Sequence, residues 1–185
     1  MKDNKYKIVA IIGSVSKNSY TRKSLKLAVN EIEKHDNFSV TIIDPRDFDL
    51  PNPGSGIMNE DRKRLQQIVG EADGAILATP EYNGSYSSVI KLVIENLGYP
   101  SQLCGKPITL LGIADGEMGA IKSIEALRGV CAHIGGLVLP HTTSISYVNQ
   151  KFDVNDNCID EQTDRRIRRV GTELIKYINQ YIDKS

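Results

Sequence analysis

Ile8-Val9-Ala10-Ile11-Ile12-Gly13 is the stretch on which the fold turns. A strand with one wet face alternates apolar and polar residues, whereas five apolar residues in a row describe a strand covered on both sides. Gly13 ends the run. After a short polar loop, Thr21 to Lys34 places Leu25, Ala28, Val29 and Ile32 on one helical face. The same alternation continues outward. Val40 to Ile43 reads as a second strand, Leu65, Ile68, Val69 and Ala72 as a second helix, and Ala75 to Ala78 as a third strand. Val89, Ile90, Val93, Ile94 and Leu97 stripe a third helix, stopped by Gly98 and Pro100. Ile108 to Ala114 is the fourth strand, and Ile124, Leu127, Cys131 and Ile134 mark the fourth helix. Leu137 to Leu139 is the fifth strand, and Ile167, Val170, Leu174, Ile178 and Tyr181 stripe the last helix.

Strands that alternate with helices form a parallel sheet covered on both faces. With right-handed crossovers the expected architecture is a three-layer α/β sandwich around a five-stranded parallel sheet of order 2-1-3-4-5. Ligands of such sheets bind beyond the carboxyl ends of the strands where the order reverses. The loops after Ile12, Thr79 and Ala114 are therefore the places to look.

Composition narrows the field. The chain has 185 residues, with 23 Lys and Arg against 23 Asp and Glu. Zero formal charge argues against a nucleic-acid partner or an anionic membrane surface, both of which need a basic face. The length suits a single domain spanning residues 1–185, with a core large enough to need neither metal nor disulfide. Cys104, Cys131 and Cys158 lack metal or framework spacing and read as reduced, mostly buried thiols of a cytoplasmic protein. The opening Met1-Lys2-Asp3-Asn4-Lys5-Tyr6-Lys7 and the short apolar run behind it fit neither a signal peptide nor a membrane span.

The loop after the first strand reads Gly13-Ser14-Val15-Ser16-Lys17-Asn18-Ser19-Tyr20-Thr21. It is hydroxyl-rich and runs into a helix start, where amides and dipole favour an anion. It lacks the three glycines of a dinucleotide fingerprint and the Gly-Lys-Ser/Thr of a nucleotide-triphosphate loop. A phosphate monoester suits it, and plain helix capping by Ser and Asn is the competing reading. The loop after the third strand, Thr79-Pro80-Glu81-Tyr82-Asn83-Gly84-Ser85-Tyr86, combines a rigid Pro, an Asn-Gly turn and two Tyr. It can turn backbone amides toward a planar heterocycle.

Together these loops resemble the NADPH-dependent FMN reductase family, whose members are flavodoxin-like and include flavin, azo, quinone and chromate reductases. The most specific piece is Thr79-Pro80-Glu81-Tyr82-Asn83-Gly84-Ser85 with Lys91 and Leu97, followed by Gly13-Ser14 with Ser19, Tyr20 and Thr21. Leu50-Pro51, Gly116, Gly119, Leu127-Arg128 and Leu139-Pro140 add weaker support. The resemblance implies FMN and NADPH as cofactors, a small-molecule electron acceptor, and a homodimer or homotetramer. Ser14, Ser16, Ser19, Tyr20 and Thr21 would hold the FMN phosphate. Pro80, Glu81, Tyr82, Asn83, Gly84 and Ser85 would border the isoalloxazine, and Asp115 and Gly116 would close over it.

Two departures stand out. Ser16 occupies the position where the family commonly has Arg, which implies looser FMN unless Lys17 or Arg22 substitutes. Asp115 replaces a usual Ser or Thr; it either brings a carboxylate to the flavin or caps the next helix. A flavodoxin-type electron carrier and a non-catalytic flavin-binding module are the alternatives to a reductase. The acidic character typical of such carriers is missing here. His35 and His133 read as structural, His141 lies nearer the ligand end, and Arg165-Arg166-Ile167-Arg168-Arg169 reads as a solvated helix face. Val89, Val93 and Leu97 face either the sheet or a partner, and Pro51 to Glu60 forms a Pro/Gly-rich loop at the ligand end.

Overall fold

The structure is a computed structural model and describes residues 5–182. Twelve main elements follow in chain order: β1 (Tyr6–Ile12), α1 (Tyr20–Ile32), β2 (Phe38–Ile43), α2 (Glu60–Gly70), β3 (Gly74–Tyr82), β4 (Ser85–Tyr86), α3 (Ser88–Glu95), β5 (Pro107–Ile113), α4 (Ile121–His133), β6 (Leu137–Val138), β7 (Thr143–Ile145) and α5 (Glu161–Tyr181). The sheet runs β2-β1-β3-β5-β6. Its pairs β1·β2, β1·β3, β3·β5 and β5·β6 are all parallel, giving the flavodoxin-like arrangement expected from the sequence.

The continuous apolar strands split their side chains between two cores, because successive residues point to opposite faces. Ile8, Ala10, Ile12, Ile76, Ala78, Leu111 and Ile113 pack under α1 and α5 with Leu25, Val29, Ile167 and Leu174. Val9, Ile11, Ala75, Leu77 and Leu110 pack under α2, α3 and α4 with Leu65, Val93, Leu97 and Leu127. Val93 and Leu97 are fully buried in this second core, so they face the sheet and are not open to a partner.

The sequence pattern misses two features. The third strand continues through Thr79-Pro80-Glu81-Tyr82, so the expected loop shrinks to Asn83-Gly84 between β3 and the antiparallel β4. Pro80 is tolerated within this strand, opposite Ile113 at the far end of β5. The fifth strand is interrupted. β6 pairs with the start of β5 and β7 with its end, and Pro140 lies in the break, where a strand would need an N–H. Among the described residues no helix is long and apolar enough to cross a membrane.

Candidate functional site

Beyond the carboxyl ends of β1, β3 and β5 opens a cleft of about 630 Å³. Its floor and one wall come from the loop between β1 and α1. Ser19 is the N-cap of α1, its Oγ accepting the Arg22 N–H at 3.2 Å. The capping reading is therefore correct for Ser19, and it leaves the hydroxyl hydrogen free to be donated. Capping also leaves the Tyr20 and Thr21 amides, the first of the helix, without an intrahelical acceptor. Ser14 Oγ accepts the Ser16 N–H at 3.3 Å and curls the loop. Ser14, Ser19 and Thr21 are buried polar residues lining the cleft. The Tyr20 ring packs at a tilt on Phe152, and the Lys23 ammonium lies 4.6 Å from its centre.

A buried hydroxyl relay fixes this loop to the next one. Ser87, the N-cap of α3, accepts the Ile90 N–H at 3.1 Å and donates its own proton to the Gly13 carbonyl at 2.5 Å. The Ser87 N–H in turn donates to Thr79 Oγ1 at 3.1 Å. Gly13 also donates to the Ala78 carbonyl, and a Cβ on Gly13 would sit 2.6 Å from that oxygen. Only glycine allows the loop to lie this close to β3.

The second wall is the β3–β4 hairpin. Asn83 and Gly84 have φ of 51° and 73°. Two successive positive φ values define the tight hairpin turn that favours Asn-Gly. Glu81 points its carboxylate to the start of α4, accepting the Ser123 N–H at 3.0 Å. The N-cap position of α4 is Ala120, which has no side chain able to cap. Glu81 and Ser144, whose Oγ accepts the Ala120 N–H at 2.8 Å, supply the caps from elsewhere in the chain. Asp115 does not cap this helix; it is exposed in the third wall, which spans Ile113 to Gly119. That wall is braced from below, since Ala114 donates to the Ile145 carbonyl and accepts from the Val148 N–H.

Every residue expected at the ligand lines this cleft except Ser85, which lies on the return strand of the hairpin opposite Tyr82. Sequence reasoning missed Val148, Ser87, Ser123 and Ser144. The Ser87 role was readable as a Ser just ahead of an apolar helical run. Ser144 belongs to β7, and no local signal marks it.

The cleft's charge is one-sided. Glu81, Asp115 and Glu117 line it, and among the described residues no Lys, Arg or His does. Arg22 cannot stand in for the cation missing at Ser16, because it pairs with Asp44 at 2.7 Å and both side chains are largely buried. Burial pushes the Asp44 carboxyl up, but hydrogen bonds from Arg46 and the charges of Arg22 and Arg46 outweigh it and hold the group below the usual carboxylate range. His141 is exposed and contacts Arg169 of α5, outside the cleft. Arg165, Arg168 and Arg169 pair with Glu161, Asp164 and Glu173 as a solvated helix face. No group of three His, Cys, Asp or Glu among the described residues is arranged to hold a metal ion. The cysteines are free, and contrary to the sequence reading Cys104 is exposed.

A parallel sheet with an uncharged hydroxyl-and-amide cradle at its switch point, beside a cleft bordered by a tight hairpin, defines a flavodoxin-like protein built for a phosphorylated planar ligand. The family model for NADPH-dependent FMN reductases matches residues 6–150, and the chain belongs to that family. It is 28% identical over 189 aligned residues to a 2-hydroxy-1,4-benzoquinone reductase of a Burkholderia species, covering 96% of this chain and 93% of that protein. It is 25% identical to an FMN-dependent NADPH-azoreductase of Staphylococcus haemolyticus, covering 91% and 93%. In fold it is similar to FerB, a flavoenzyme NAD(P)H:(acceptor) oxidoreductase from Paracoccus denitrificans, with TM-score 0.78, 21% identity and 95% and 98% coverage.

The protein is thus an NADPH-dependent FMN reductase, using FMN and NADPH. The residues present fit FMN: hydroxyls and two open helix amides suit a phosphate, and the cleft volume lies within the range of small-molecule sites.

Proposed function

We propose that this protein transfers electrons from NADPH to a small flat acceptor, a quinone or an azo compound, with both substrates using the same cleft in turn. Flavins and metal oxyanions are the wider set of acceptors from which these two are chosen. The observation that carries this reading is the cleft's division into a cradle at Ser14, Ser16, Ser19, Tyr20 and Thr21 and an open ring-sized space beside the hairpin.

When bound, FMN supplies the hydride and electron chemistry. The chain's residues bind and orient. The Tyr20 and Thr21 amides and the hydroxyls of Ser14, Ser16 and Thr21 anchor the phosphate end. The Asn83-Gly84 turn presents backbone N–H groups to the polar edge of the ring. Tyr82 and the segment Asp115 to Gly119 bound the face on which donor and acceptor stack. In the overall reaction NADPH, one proton and a quinone give NADP⁺ and the hydroquinone; cleavage of an azo bond to two amines takes two such rounds. No side chain is required as nucleophile or general base.

The proposal includes a cytoplasmic homodimer or homotetramer, with residues 1–185 as one domain. The loop Pro51 to Glu60, where Ile57 and Met58 are exposed, lies at the subunit contact. Initial rates with varied NADPH and quinone in the presence of FMN test the function. Parallel double-reciprocal lines are expected. NADPH that is not consumed by flavin-loaded protein overturns the reading, and a monomer in light scattering overturns the assembly.

A further inference from the structure

We infer that Asp115 and Glu117 make the cleft select its electron acceptor by charge, favouring uncharged or cationic flat aromatics over anionic ones. This rests on the proposed use of the cleft for the acceptor and goes beyond it by specifying the acceptor's class.

The three carboxylates in the lining differ in how their charge is offset. Glu81 accepts the Ser123 N–H at the N-terminus of α4, where the helix dipole offsets its charge. Asp115 and Glu117 have no such compensation. Both are exposed, and among the described residues neither takes part in a salt bridge or a side-chain hydrogen bond. The third wall itself carries no cation among the described residues. Lys17 lies in the loop before α1, outside the lining. Lys122 runs its aliphatic chain along the hairpin, its Cδ 3.5 Å and its Nζ 4.0 Å from where a Gly84 Cβ would be. The third wall therefore carries two unpaired carboxylates, with the Lys122 ammonium held against the hairpin at Gly84.

The same wall carries Met118, 72% exposed, and the hairpin carries Tyr82, 54% exposed. Two large exposed apolar side chains in the lining of one cleft suit a flat hydrophobic ring, and Met in particular adapts to aromatic faces. An acceptor seated there is held by its apolar faces, with Asp115 and Glu117 close to its edge. A sulfonate or carboxylate on the ring is placed against those charges. A quaternary ammonium is attracted by them. NADPH would escape much of this penalty at the ring, because its reacting nicotinamide is uncharged.

The test uses three naphthoquinones: the parent compound, its sulfonate and a trimethylammonium derivative. Each is assayed for kcat/KM with the FMN-loaded wild type, Asp115→Asn, Glu117→Gln and the double variant. Comparing each acceptor's ratio to the parent between proteins cancels intrinsic reactivity. Coulomb interaction across roughly 8 Å, at an effective dielectric between about 40 and 80, predicts a gain of about two- to fivefold per carboxylate removed for the sulfonate. An equal loss is expected for the ammonium compound, and both effects shrink from about 0.01 M to about 0.15 M salt as the Debye length falls. A non-reacting readout runs beside it: sulfonated and unsulfonated naphthalenes, which accept no electrons, are titrated against bound flavin fluorescence, and the double variant should bind the sulfonate more tightly. Charge ratios that are the same in all four proteins overturn this inference while leaving the reductase reading in place. Failure of the FMN-loaded wild type to reduce any of the three quinones overturns both.

Discussion

Ser87→Ala removes a single oxygen that serves two masters, and its effect follows from the structure. Ser87 is 1% exposed. Its Oγ caps α3 through the Ile90 N–H, and deleting an N-cap costs about 1 kcal/mol. The same Oγ donates to the Gly13 carbonyl at the base of the cradle, and a buried acceptor left without its donor costs a further 1–3 kcal/mol, roughly. The variant is thus less stable by about 2–4 kcal/mol, which in a chain of this size lowers the melting temperature by about 5–15 °C. The second loss also releases the Gly13-Ser14 loop from the hairpin, so FMN affinity falls. Ser87→Gly separates the two effects. Glycine is a fair N-cap but provides no donor. It should melt above the alanine variant and bind FMN equally weakly. Circular dichroism melts and flavin fluorescence titration read the two quantities. An alanine variant that melts and binds FMN like the wild type refutes the relay.

Further outcomes follow from other residues. Ser16→Arg puts a cation at the cradle and should tighten FMN about ten- to a hundredfold, the value of a charge-assisted hydrogen bond, as read by fluorescence titration. Gly13→Ala sets a Cβ 2.6 Å from the Ala78 carbonyl oxygen and 3.0 Å from Ile90 Cβ, and should lose about 1–3 kcal/mol in urea unfolding. Burial pushes the Cys131 thiol up to about 12, so alkylation near neutral pH followed by mass spectrometry should modify exposed Cys104 and spare Cys131 in the folded protein. Hydrogen bonds from Thr163 and Lys151 hold the Asp160 carboxyl at about 2, below its ordinary 3.8. Its contribution to stability is complete above 3.8 and lost as the pH falls toward 2. Asp160→Asn should therefore flatten the acid unfolding profile in that window.

Much of the fold was readable because the strands are buried on both faces. Val9 and Ile11 on one side and Ile8, Ala10 and Ile12 on the other need no polar partner, so the run declares itself. β6 was legible as Leu137 to Leu139, but β7 was not, because a three-residue strand beyond Pro140 carries too little pattern. The end of β3 was hidden for another reason: Pro80 and the polar Glu81 resemble a loop, and only pairing with β5 and β4 makes them strand. In the cleft, Ser14, Ser19 and Thr21 were legible as hydroxyls beside a helix start. The caps of α4 were not. Glu81 reaches Ser123 and Ser144 reaches Ala120 from distant parts of the chain, so Asp115, near in sequence, was the natural candidate and the wrong one. Freed from that duty, its carboxylate becomes part of the cleft's charge.

On the proposed function, this cleft holds FMN where NADPH can reduce it. Anaerobic titration of the FMN-loaded protein with NADPH, followed by visible absorbance, tests it most directly. Rapid loss of the flavin's colour at one NADPH per bound flavin is expected, with its return on adding a quinone. Bound flavin that stays yellow in excess NADPH would contradict it.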